Sequence, residues 1–156
     1  MEPIASDPRR AFFLRVLGPD EALGSPFGGE PYPALVWATR PAPDAEKRRL
    51  ADALIATGCR YVVCGGVECW QWEHAADRAF IEQDLPEPQA DERFVMTTSH
   101  RGEPEDDVAF FFVQNTCFGD HDFARYLVLL VGDHAPTRER LIAAIREHAA
   151  GPHPLD

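Results

Sequence analysis

The chain has 156 residues, 45% of them hydrophobic and 26% charged, with 15 Lys and Arg against 26 Asp and Glu for a formal net charge of −11. That length suits one domain, residues 1–156, which can bury roughly 70% of the surface its unfolded chain exposes without a disulfide or metal staple. The acidity argues against direct nucleic-acid binding and against an anionic membrane surface, because both require Lys and Arg to displace counterions from phosphates.

A basic protein partner suits such a field, although acidity also serves solubility alone. The opening MEPIASDPRR lacks a basic stretch followed by an apolar run, so no signal peptide is expected. The longest apolar run, YLVLLV, is far short of the ~20 residues that span a bilayer. Cys59, Cys64, Cys69 and Cys117 form no C-x-x-C pair, which predicts reduced thiols and a cytoplasmic location.

Residues 1–10 read as a loose, Pro-containing leader. AFFLRVLG, from Ala11 to Gly18, is the first strand candidate, and residues 18–33 are a Gly/Pro-rich loop that leaves its orientation open. ALVWA (Ala34–Ala38) is a continuous apolar run, as in a strand covered on both faces. Asp44 is then the expected N-cap of a helix with Leu50, Ala51, Leu54 and Ile55 on one face, closed by Gly58. CRYVVCGG predicts a strand and VECWQWEHAADRAFIEQD a helix striped by Trp72, Ala76, Ala79 and Phe80. LPEPQADE reads as a loop, and FVMTTSH as a strand.

Pro104 opens a helix with Glu105, Asp106 and Asp107 in its first turn, where the helix dipole favours negative charge. CFGDHDF reads as a loop pinned by Phe118 and Phe123. RYLVLLVG is the most strand-like segment, and Thr137 is the expected cap of the last helix, ended by Gly151 and Pro152. Strands alternating with helices predict a three-layer, doubly wound α/β fold, Rossmann-like or flavodoxin-like. Its mostly parallel sheet would hold about five strands with helices on both faces, the first strand joining at an edge in either orientation, antiparallel included.

Ligands in open parallel sheets sit outside the carboxyl ends of the strands. Those ends are Thr39-Arg40, Cys64-Gly65-Gly66, the stretch from Thr97 to Arg101, and Gly132-Asp133-His134. Glu68, Cys69 and His100 are therefore the catalytic candidates: a thiol just inside a helix N-terminus, an imidazole base, and a carboxylate to orient or share a proton. Such a site requires Glu68 and His100 to share a pocket. Cys64, Gly65, Gly66, Trp70, Glu73 and Arg101 are the binding candidates.

Each has a plainer reading. The glycines give a tight turn and close helix–sheet packing, and no dinucleotide or P-loop fingerprint accompanies them. Cys64 and Cys69 read equally as buried hydrophobes, and Glu73 with Asp77 as a charged outer face. Cys64, Cys69, His74, His100, Cys117 and His121 could in principle supply zinc ligands, and Cys64 and Cys69 have a suitable four-residue spacing, but no second such Cys pair follows, so no metal and no cofactor is expected. Trp70 points away from the helix stripe, as an interface anchor or as a cover for the long loop.

FVMTTSHRGEPEDDVAFFFVQN, with CGGVECWQWEHAADRAF and YLVLLVG, resembles an uncharacterised bacterial family of short acidic α/β domains. The resemblance covers most of the chain after Pro33. It implies the fold and assigns no residue roles.

The expected function is a non-enzymatic protein-binding module, antitoxin-like, immunity-like or regulatory. The alternative is a Rossmann-like hydrolase or transferase acting on a small nucleotide-like or carbonyl substrate at the strand ends. A third reading is a homodimer formed through Trp70 or the Phe-rich third helix.

Overall fold

A computed structural model describes residues 1–84 and 93–156. The expected LPEPQADE loop lies outside the described residues. In chain order the elements are β1 (Glu2–Ser6), β2 (Ala11–Leu17), β3 (Tyr32–Ala38), α1 (Asp44–Ala56), β4 (Cys59–Gly66), α2 (Cys69–Asp84), β5 (Met96–Ser99), α3 (Glu105–Gln114), β6 (Arg125–Val131) and α4 (Ala135–Ala149). They build one six-stranded sheet in the order β1-β2-β6-β3-β4-β5. Only β1 runs antiparallel, paired to β2, and the other four ladders are parallel.

The α/β, doubly wound expectation holds, with a sixth strand added. Residue alternation divides the central strands between two cores. Ala34, Val36, Ala38, Val62, Leu127 and Leu129 meet Leu50 and Leu54 of α1 and Trp72 and Ala76 of α2. Leu35, Trp37, Val63, Val128 and Leu130 meet Val108 and Phe112 of α3 and Leu141 and Ile145 of α4.

Four local expectations are corrected. The leader is not loose, because residues 2–6 form the edge strand β1. Arg10, only 2% exposed, fixes the turn behind it. Its Nε donates to Asp7 Oδ2 at 2.8 Å and its Nη1 to the Val113 carbonyl at 2.7 Å. Its guanidinium also lies 5.2 Å from the Phe12 ring and 5.3 Å from that of Tyr126. Arg146 Nε donates to the Ile4 carbonyl at 2.7 Å and so ties the new edge to α4.

The first predicted strand is not an antiparallel edge. It is β2, parallel to β6 from Ala11↔Arg125 to Leu17↔Val131. The Gly/Pro-rich loop carries the chain across β6 to β3 without a helix. Leu23 and Phe27 bury themselves in the α1–α2 core where a crossover helix would otherwise pack, with Phe27 5.6 Å from Phe13 and 5.2 Å from Tyr32.

Two caps also differ. Asp44 is the first residue of α1, behind Pro43, and makes no cap bond. Thr137 is buried inside α4, whose cap is His134.

Candidate functional site

The chain runs outward from β3 through β4 to β5, then returns with β6 on the other side of β3. Helices α1 and α4 therefore leave the neighbouring ends of β3 and β6 toward opposite faces, which opens a crevice there. Thr39 stitches its floor: its N–H and its hydroxyl both reach the Val131 carbonyl at 3.0 Å, and the hydroxyl lies 3.1 Å from the Gly132 carbonyl.

His134 stands on the rim. Its Nδ1 accepts the Thr137 N–H at 3.3 Å and lies 2.7 Å from the Thr137 hydroxyl. That acceptor role puts the ring proton of the neutral imidazole on Nε2. One cavity of about 500 Å³ lies between Trp37, Thr39, Gly66, Val67, Glu103 and His134. A second, of about 620 Å³, lies between Leu17, Glu21, Thr39, Arg40, Asp133 and His134.

The catalytic candidates do not converge. Glu68 adopts the left-handed conformation, φ 57°, and turns to the α1 side. There its Oε1 accepts the Ala42 N–H at 3.0 Å and pairs with Lys47 Nζ at 3.3 Å. The Ala42 bond and the ammonium hold its carboxyl below the usual range against the opposing effect of burial. Lys47 is 3% exposed and also donates to the Ala42 carbonyl at 2.9 Å and to Gln71 Oε1 at 2.5 Å.

His100 sits on the other face, its ring 4.6 Å from that of Phe111, with Nδ1 2.9 Å from Glu103 Oε2 and Nε2 3.0 Å from the Thr98 hydroxyl. Glu68 is thus held by the α1 side and His100 packs on α3, no hydrogen bond or ion pair joins them, and neither lines either crevice cavity. Cys64 and Cys69 are buried in the α1–α2 core, and burial pushes the Cys64 thiol well above its ordinary pKa.

The glycine pair is explained by close approach. A Cβ on Gly65 would come within 2.6 Å of the Trp37 ring. Gly66 has φ +78°, and its Cβ would meet the Ala38 carbonyl oxygen at 2.3 Å. Glu73 accepts the Ser99 hydroxyl at 3.1 Å and Asp77 the Thr97 hydroxyl at 2.5 Å, so both carboxylates of the presumed outer face dress the edge strand β5. Arg101 is exposed with no hydrogen-bond or ion-pair partner among the described residues. Among those residues no cluster of three or more His, Cys, Asp or Glu is placed to hold a metal ion, and no helix is long and apolar enough to cross a membrane.

A family model described as "Domain of unknown function (DUF7684)" matches residues 13–148. The chain belongs to that family. The match runs from within β2 into the last turn of α4, so it takes in both cores and the crevice, and it begins after β1 and Arg10. No curated protein matches the chain, and no solved structure does.

Away from the crevice, the outer surface of α1 and α2 carries a groove of about 880 Å³. Asp44, Lys47 and Arg48 line it from α1, and Trp70, His74, Ala75 and Arg78 from α2. Trp70 is 46% exposed and meets the His74 ring edge-on at 5.9 Å. Trp37 and Trp72 are buried.

Of these residues the sequence singled out Trp70 alone as a binding candidate. Arg48 and Arg78 look there like any solvated helix charge. Trp37 was missed at the crevice because a wholly apolar strand does not say which side chain ends at a reversal of strand order.

Proposed function

We propose that this chain is a cytosolic protein-binding module that presents the α1–α2 face to its partner. The observation that carries this reading is Trp70, which is nearly half exposed beside an open groove while the other two tryptophans fill the cores. A Trp exposed in this way costs solubility and returns binding energy when a partner covers it. The four free thiols, three of them buried, fit a reducing compartment. A neutralising or regulatory role suits a module of this kind.

The test is a photo-crosslinking side chain placed at position 70, compared with one at the exposed Glu139 on α4, in the cell that makes the protein. The captured partner is then purified and titrated against the wild-type chain and Trp70→Ala by calorimetry. A loss of about tenfold or more in affinity is expected for the variant. Equal affinity of the two proteins would sink the reading.

A second reading rests on the crevice. Two cavities meet at Thr39 and His134, where the strand order reverses. That is where an enzyme on this scaffold, a hydrolase or transferase for a small nucleotide-like or carbonyl substrate, would bind it. A thermal-shift screen of such compounds on wild type and His134→Ala decides it. A stabilising compound whose effect disappears in the variant supports the crevice, and one whose effect persists removes it.

A further inference from the structure

This inference rests on the protein-binding reading and names the chemistry of the segment that binds. Carboxylates outnumber cations in this chain 26 to 15, and its guanidiniums are widely engaged. Arg10 pairs with Asp7, Arg40 with Glu46, Arg125 with Glu30 and Arg140 with Glu105. The groove departs from this pattern.

Arg48 has no hydrogen-bond or ion-pair partner among the described residues. Arg78 stands 3.8 Å from Glu82, and its Nε is buried without a hydrogen-bond acceptor. The charge of Lys47 is already answered by Glu68, and among the described residues Asp44 is the single carboxylate in the lining. Two guanidiniums with donors to spare thus flank an exposed indole.

We propose that the α1–α2 groove takes an acidic segment of a partner protein, its carboxylates seated on Arg48 and Arg78 and an apolar side chain laid on Trp70. Trp70 and Arg78 are eight positions apart, about 12 Å along a helix, the reach of about four residues of extended chain. Guanidinium forks suit carboxylates, and the groove, of about 880 Å³, is lined from both helices. The net charge of −11 alone would favour a basic partner. At physiological ionic strength, however, charges beyond about 8 Å are largely screened, and the groove's own chemistry sets what enters it.

The test uses the full chain, 15N-labelled, with two synthetic peptides as probes: acetyl-SEDEFEDES-amide and its uncharged counterpart acetyl-SQNQFQNQS-amide. The expected result is that the acidic peptide alone shifts the Trp70 indole N–H and the amides of Gln71 and Ala75. Its affinity should fall about tenfold in the double variant Arg48→Glu/Arg78→Glu, and by less in Arg48→Gln/Arg78→Gln. Arg48 is exposed and Arg78 partly buried, and undiminished spectral dispersion of both variants confirms folding.

Equal binding of the two peptides, shifts elsewhere on the surface, or no shift at millimolar peptide overturns the proposal. So does self-association of the chain that the Glu variant abolishes, which would give the groove to a second copy. A partner captured at position 70 that ignores both double variants removes this inference and leaves the binding reading standing. A partner indifferent to Trp70 removes both.

Discussion

Replacing Gly66 by alanine should cost about 3 kcal/mol of folding stability, and the same change at Gly102 only about 1 kcal/mol. The two glycines share a backbone conformation, with φ +78° at Gly66 and +75° at Gly102. An alanine held there pays about 1–2 kcal/mol at either site, offset equally by the loss of unfolded-state freedom. The surroundings differ. A Cβ at Gly102 meets nothing within 4 Å, whereas at Gly66 it meets the Ala38 carbonyl oxygen at 2.3 Å.

That oxygen is backbone and cannot step aside cheaply. It also accepts the Val67 N–H at 2.9 Å, so moving it forfeits a bond worth about 1 kcal/mol and strains the end of the β3–β4 ladder. The difference between the variants, about 2 kcal/mol, isolates the close approach. With a urea m-value of about 2 kcal/mol/M it appears as a separation of about 1 M between their unfolding midpoints. Coincident midpoints would refute the claim that the glycine pair exists for packing, and would return it to the list of ligand-binding candidates.

Two further predictions concern the buried charge and the thiols. Arg10→Met should lose about 3–5 kcal/mol, because it strands the Asp7 carboxylate and the Val113 carbonyl. Burial pushes the Asp7 carboxyl up, but N–H bonds from Arg9 and Arg10 and the guanidinium more than offset it and hold it below 3.8. A depressed carboxyl gives stability that is present above its unfolded pKa and lost as pH falls through the folded one. Wild type should therefore lose more stability than Arg10→Met on acidification below about pH 4, as measured by urea titrations at stepped pH; parallel acid limbs would contradict the pairing. Cys117 alone is partly exposed, so a thiol reagent should find one quickly reacting group in the native protein and three more only on unfolding. A second fast thiol would show that a core cysteine is accessible.

The regular half of the fold was legible because β3 to α4 alternate apolar runs with helical stripes, and each stripe found its core. The first thirty residues were not, for two reasons. Pro3 and the Asp7-Pro8 pair read as a leader, yet an edge strand tolerates proline where no partner needs the missing N–H. Arg10 reads as a surface charge, and nothing in a sequence announces a guanidinium buried under Phe12 and Tyr126.

The same blindness governs the site. The strand-end rule named Thr39 and His134 at the edge, but which ends adjoin depends on β6 returning between β2 and β3, and that order is written in no local pattern. Glu68 was read as catalytic, and Lys47 was not singled out. Their pairing spans the α1–β4–α2 unit and appears only when the helices dock.

The placement of β6 also sets the order in which the molecule can be finished. It is the last of the sheet's six strands to leave the ribosome, yet it is hydrogen-bonded on both sides, to β2 and to β3. Until it emerges, the β1–β2 hairpin and the β3–β4–β5 sheet have no ladder in common, and each shows an apolar unpaired margin. The nascent chain is thus two fragments waiting for a wedge, and the pairs that join them are among the most distant in sequence, such as Phe12 with Tyr126. Contacts of that range form slowly. During synthesis the chain depends on whatever keeps those two margins from other strands until the wedge arrives.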